Sequence, residues 1–288
     1  MTFYPIQKLI PESNIVLFSP HYDDVLLGLG GYILALKNLG LLPYKKFHIL
    51  LLFSRSNYLA GSGAGNYDTS LERIKLATGR RLLEDMNCLD ELLGVHTYRY
   101  ELLGERECML RSKVFAEGDM EFPHGMYEQF SAEDWQIFTR LQHLVSSWGG
   151  NKDTALVFPL AIKEHIDHFI TREAGINAAK EPGSDFKAQM YFQEDKPYAG
   201  IQTPEEAARI EAFTRSYRLE ARLYPIQPEK IVEMAFKHYL SQVEEVYRHG
   251  VLERAEQLQT MYNLDRPCDC IYRLPAAASP EERMSNIP

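Results

Sequence analysis

Residues 14–31 read NIVLFSPHYDDVLLGLGG: an unbroken apolar run, a short polar turn, then the opening of an apolar helix. The run is continuous rather than alternating, the pattern of a strand in a parallel sheet covered on both faces. Working outward, runs of the same kind recur at Phe47–Phe53 (FHILLLF), Val95–Tyr100, Thr154–Pro159 (TALVFP) and Ala188–Gln193 (AQMYFQ). Helical patterns lie between them. Val25–Leu39 follows the first strand directly, and Thr69 with Glu72 forms a T-x-x-E capping box for a helix reaching Leu93, with Gly94 as its stop. Ser131 opens a helix to about Trp148, ended by Gly149-Gly150, and Thr203-Pro204-Glu205-Glu206 starts another. Pro225 and Pro228 precede a long helix predicted over Glu229–His249 and closed by Gly250, with a shorter one after Val251. Strand and helix in alternation predict βαβ units and a doubly wound α/β sheet, mostly parallel, with helices on both faces. Residues 1–273 read as a single domain. The Ala-, Pro- and Ser-rich stretch 274–288 reads as a frayed tail, and 101–130, polar and aperiodic, as an insertion near a pocket.

Composition narrows the function classes. The chain has 288 residues, 45% hydrophobic and 25% charged, which excludes a disordered chain, a collagen-like repeat and a disulfide scaffold. Its 31 basic against 40 acidic residues leave a net charge of −9, so a sequence-independent grip on nucleic acid is not expected. Cys88 and Cys108 stand alone and Cys268-Asp269-Cys270 lacks C-x-x-C spacing, so all four cysteines read as buried, incidental thiols. Phe47–Phe53, the richest apolar stretch, is far shorter than the ~20 residues of a membrane span. The first residues lack a charged start followed by an apolar core and a cleavage site. A soluble, cytoplasmic protein with reduced thiols is expected, with no membrane or nucleic-acid partner.

Two turns carry chemistry. The first strand ends in His21, Asp23 and Asp24, at the carboxyl edge where ligand crevices of open α/β sheets lie. Taken alone, the Asp pair is also compatible with a helix N-cap and a solvated neighbour, and His21 with a core histidine. Gly28, Gly30 and Gly31 fall a turn inside the helix rather than at the strand–helix turn, which favours close packing over dinucleotide binding. TALVFPLAIKEHIDH, 154–168, repeats the arrangement with His165, Asp167 and His168. Both turns should emerge on one sheet edge, and two histidines with a carboxylate make the three-ligand set of a catalytic zinc site.

HYDD followed by G-L-G-G, then HIDH, resembles the PIG-L/LmbE-type zinc-dependent N-deacetylases, with their H-P-D-D-E…G-x-G-G and H-P-D-H. The likeness extends over about residues 14–250. Arg81-x-x-Glu84 before Leu93-Gly94-Val95 is similar to the family's R-x-x-E…L-G-V, MYFQEDKPY (190–198) to Y-Y-E-D-x-P-Y, and KHYLSQ (237–242) to K…Y-x-S-Q. The resemblance implies a Rossmann-like LmbE fold and hydrolysis of a linear amide, releasing an acetyl group from an N-acetylated amino sugar or glycoside. It implies Zn2+, with Fe2+ as the other candidate, held by His21, Asp24 and His168. Asp23 would be the general base and His165 the stabiliser of the oxyanion, with Asp167 orienting His165 or His168. Arg55 and Arg81 are candidates for substrate contacts, and Tyr191 and Tyr198 for pocket walls; a homo-oligomer is allowed. Departures from the family are Tyr22 and Ile166 for its prolines, Val25 for its glutamate, and the loop SRSNYLAGSGAGN (54–66) for T-x-G-E. Two other readings stand beside it: a non-haem iron enzyme with a two-histidine, one-carboxylate triad, and a non-catalytic sugar-binding relative.

Overall fold

The computed structural model describes residues 2–111, 126–181 and 185–275. Much of the predicted insertion (112–125) and nearly all of the predicted tail (276–288) lie outside the described residues. The strands are β1 (Asn14–Ser19), β2 (Lys46–Leu51), β3 (Tyr98–Leu102), β4 (Thr154–Pro159), β5 (Gln189–Gln193), β6 (Glu220–Pro225) and β7 (Cys268–Arg273). The helices are α1 (Ile6–Leu9), α2 (Asp24–Asn38), α3 (Leu71–Leu93), α4 (Ala132–Trp148), α5 (Ile166–Lys180), α6 (Pro204–Ser216), α7 (Pro228–His238) and α8 (Glu245–Met261).

One seven-stranded sheet runs β3-β2-β1-β4-β5-β7-β6. The first five strands in the chain pair in parallel, and β7 runs antiparallel between β5 and β6. Burial explains the continuous runs. β1 and β4 are buried from end to end apart from Asn14, with residues 15 and 17 of β1 facing one apolar cluster and 16 and 18 the other. One cluster draws on α1, α2, α3 and α7, and the other on α4 and α5. Among the described residues no helix is long and apolar enough to cross a membrane. All four cysteines are free and buried.

The chain leaves β1 toward β2 and β3 on one side, then returns to β4 and β5 on the other. β1 and β4 are neighbours, so the loops after them open side by side at the point where the strand order reverses, the ligand crevice of open α/β sheets.

The structure corrects several expectations. The third strand is Tyr98–Leu102 rather than Val95–Tyr100, and Ser70, not Thr69, caps α3 by accepting from the Arg73 amide. The helix expected over 229–249 is two helices, broken where Ser241 and Gln242 bond instead to Glu84 of α3. Gly250 is not a stop but lies inside α8, where a Cβ would collide with the backbone carbonyl of Pro197. Strands β6 and β7 add to the five that the apolar runs predict.

Candidate active site

The loop after β1 and the start of α2 carry His21, Asp23 and Asp24; the loop after β4 and the start of α5 carry His165, Asp167 and His168. All six side chains are buried or nearly so. His21 Nδ1 lies 3.1 Å from His168 Nε2, and Asp24 Oδ2 lies 3.7 Å from the first and 3.5 Å from the second. Three donors around a tetrahedral ion with ~2.0–2.1 Å bonds stand about 3.3 Å apart, so these atoms fit three corners of such a site.

The outer nitrogens fix the tautomers. His21 Nε2 donates to Asp167 Oδ2 at 3.1 Å, and His168 Nδ1 donates to Asp195 Oδ1. The remaining nitrogens, His21 Nδ1 and His168 Nε2, face each other and the Asp24 oxygen, leaving between them a place for a shared proton or for a cation. Burial disfavours a charged His168, but Asp24 and Asp195 outweigh it and raise its pKa to about 9: a proton is drawn in where a cation would sit. The donor set thus fits a divalent ion. Asp195, just beyond β5, belongs to the MYFQEDKPY stretch (190–198), whose resemblance carries no role for it, although an acid past the carboxyl end of a parallel strand beside these two turns is a readable signal.

Asp23 occupies the N-cap position of α2 but makes no side-chain cap bond, so the simple capping reading fails for it. Burial, then the neighbouring Asp24 charge, push its pKa up, opposed by Arg81 and His21. Asp24 instead accepts the His21 amide at 2.7 Å.

His165 caps α5 with its ring: Nδ1 accepts the Asp167 amide at 3.2 Å. Burial, then the His21 charge, hold its pKa well below the usual histidine value, so the ring is neutral with its proton on Nε2, a donor. The nitrogen that would be needed for a second ion beside Cys108 and Asp167 thus carries a proton. Burial also keeps the Cys108 thiol protonated.

Asp167 reaches His165, but through its backbone amide rather than its carboxylate, which bonds His21. Arg111 beside it holds the carboxyl well below the usual range despite burial. Arg81 is interior rather than open to a ligand. It pairs with Glu107, donates to Ser56 Oγ (2.6 Å) and Gln242 Oε1 (2.8 Å), and lies over the Tyr22 ring. Glu84, in turn, takes the Ser241 bonds, so the R-x-x-E and S-Q motifs meet and tie α3 to the link between α7 and α8. Arg55 is exposed beyond β2. Tyr191 points into the core, where its hydroxyl bonds Glu12; Tyr198 is half-buried after β5.

The departures have local explanations. Tyr22 is fully buried and its hydroxyl donates to the Ser54 carbonyl at 2.6 Å, pinning the turn that a proline would stiffen. Val25 and Ile166 sit in the two apolar clusters. Gly28 packs closely on β5: a Cβ there would meet the end of the Gln193 side chain, which would have to move aside. A cavity of about 690 Å³ opens at the other edge of the sheet, where β1, β2 and β4 begin, and takes no part in this cluster.

No protein-family model matches the chain, and no curated protein matches its sequence. Solved structures do match. A deacetylase of teicoplanin biosynthesis superposes with a TM-score of 0.60 at 18% identity, covering 92% of this chain and 100% of that one. The zinc-inhibited form of teicoplanin deacetylase gives 0.58, 18%, 92% and 100%. The N,N'-diacetylchitobiose deacetylase from Pyrococcus horikoshii gives 0.55, 14%, 94% and 88%. The fold of this chain is that of the LmbE-like deacetylases.

Proposed function

We propose that this chain is a zinc-dependent hydrolase of the LmbE type, a single catalytic domain over residues 1–273 that removes an acetyl group from an N-acetylated amino sugar or glycoside. One observation carries the reading: a ring nitrogen each of His21 and His168 and an Asp24 oxygen converge within 3.1–3.7 Å, with the His165 ring in the same cluster and the Asp23 carboxyl next to it in the chain. A teicoplanin deacetylase and an N,N'-diacetylchitobiose deacetylase share the fold and are deacetylases by name, which agrees with the removal of an acetyl group from a sugar.

His21, Asp24 and His168 would hold the ion. Bound there, zinc supplies a water whose pKa falls from about 15.7 toward 7 and a Lewis acid for the carbonyl. Asp23 takes one proton from the attacking water as the new C–O bond forms. His165 donates its Nε2 proton as a hydrogen bond to the oxygen that becomes negative, and the N-termini of α2 and α5 add favourable dipoles at the same edge. As the C–N bond breaks, Asp23 returns the proton to the departing amine, leaving a free amino sugar and acetic acid, which gives its own proton to solvent and departs as acetate. Arg55, exposed at the rim, is the proposed contact for sugar hydroxyls, with Tyr198 as a wall; Arg81 supports the loop beneath.

The test is zinc-loaded protein offered a panel of N-acetylated amino sugars and their glycosides, scored by free amine, with His21→Ala as the blank. Asp23→Ala and His165→Ala should keep their zinc and lose turnover, His165→Ala by on the order of 10²–10³. A metal-free Asp23→Ala protein would make Asp23 a ligand and undo the assignment of roles.

A further inference from the structure

The four-residue turn Cys108–Arg111 follows β3 and touches none of the proposed ion's ligands. It nevertheless grips both oxygens of Asp167. The Cys108 amide donates to Oδ2 at 3.0 Å, and Arg111 Nη2 donates to Oδ1 at 2.6 Å. The rest of the guanidinium is committed as well. Nε donates to Asp134 Oδ1 at 2.8 Å, Nη1 donates to the Arg106 carbonyl, and the plane lies over the Phe53 ring, 4.9 Å from its centroid. The side chains of Arg111, Asp134 and Asp167 are fully buried.

Removing a guanidinium and two carboxylates from water is costly, and hydrophobic residues of equal volume often hold a core as well. Such a triad is therefore a weak device for stability alone. Its geometry does something else. With one cation between two carboxylates, the triad keeps a net negative charge whose free side is Asp167 Oδ2, and that oxygen receives the His21 Nε2 proton at 3.1 Å. A carboxylate fixed at two oxygens cannot rotate away from the imidazole. The tautomer and direction of His21 are thereby set, with Nδ1 turned toward His168 and Asp24.

We propose that Arg111 is a positioning residue for the metal centre, and that the Cys108–Arg111 turn is the clamp through which it orients His21 by way of Asp167. The inference rests on the metal-centre reading above and extends it to a residue outside the ligand set and outside every motif recognised in the sequence. Arg111 joins three segments that each supply a part: its own turn, the first turn of α4 through Asp134, and the first turn of α5 through Asp167.

The experiment compares Arg111→Met and Arg111→Lys with wild type in zinc affinity by competition titration and in the visible spectrum of the cobalt-substituted protein, folding being checked by circular dichroism. Groups that orient a ligand typically contribute 10–100-fold to metal affinity. Arg111→Met should therefore bind zinc 10–100-fold more weakly and show a changed cobalt spectrum. Arg111→Lys, which keeps the cation but not the fork, should lose less and serves alone if the methionine variant does not fold. A folded variant with wild-type zinc affinity and an unchanged cobalt spectrum overturns the positioning role. Wild-type protein that binds no zinc overturns the metal-centre reading itself and this inference with it.

Discussion

Asp85 lies one turn beyond Arg81 on α3, sealed in the interior, with its two oxygens receiving the hydroxyls of Tyr100 and Tyr239 at 2.6 Å each. Burial raises its pKa from 3.8 to about 8, more than the two tyrosine bonds lower it. The folded protein thus keeps a proton that the unfolded chain has already released. Stability contributed by this group is fully present below about pH 4 and is lost as pH climbs toward 8, by at most about 1.4 kcal/mol per unit. Asp85→Asn removes the titration while keeping the shape. Urea unfolding at pH 5 and pH 8 should show a smaller loss in the variant than in wild type; equal losses would mean that Asp85 is ionised throughout. Nothing in the sequence pattern singles out this group or Arg111, and Asp195 stands in MYFQEDKPY with no sign there of its role. Each owes its role to a partner far away in the chain: Tyr239, Asp167 and His168 respectively. The site candidates are legible because His21 and Asp24, and His165 and His168, sit close together in two turns that mark themselves by the strands before them.

At the scale of elements, legibility followed burial on two faces. β1, β4 and β5 are continuous apolar runs and were found within a residue or so. β6 (EARLYP) and β7 (CDCIYR) were missed because each carries buried charge that breaks the pattern. Arg222 is bound to the carbonyls of Lys8 and Leu9, and Asp269 to Lys196. The split between α7 and α8 was hidden for a related reason, since its bonds come from Glu84 and Arg81 on α3. Gly250 shows how an element can depend on one absent methyl. α8 packs so closely on the turn after β5 that a Cβ at Gly250 would meet the Pro197 carbonyl, and one at Gly200 the Gly250 carbonyl. Gly250→Ala gains up to about 1 kcal/mol of helix propensity. Overpacking costs about 1–3 kcal/mol, and the obstacle here is backbone, which cannot rotate aside. A net destabilisation is expected, read as a lower urea midpoint at unchanged m-value. A stabilised variant would show that α8 stands off from this turn.

At the scale of the whole molecule, the proposed centre joins loops from two βα units, one before and one after the reversal of strand order. His21 and His168 are 147 residues apart in sequence, so an unfolded chain offers an ion no such pair. Zinc should therefore bind the folded state selectively and stabilise it by RT ln(1 + [L]/Kd), about 2.7 kcal/mol at a hundredfold excess over Kd. For a chain of this size, roughly 2 °C per kcal/mol puts the rise in Tm near 5 °C. Chelator should reverse it. His21→Ala removes one donor and leaves Asp24 and His168 in place, so its Tm should respond far less to the same zinc. This comparison separates the proposed centre from stray binding at exposed histidines and carboxylates. Stray sites would raise or lower both proteins alike, whereas an ion held between the two loops requires the wild-type shift to exceed that of the variant.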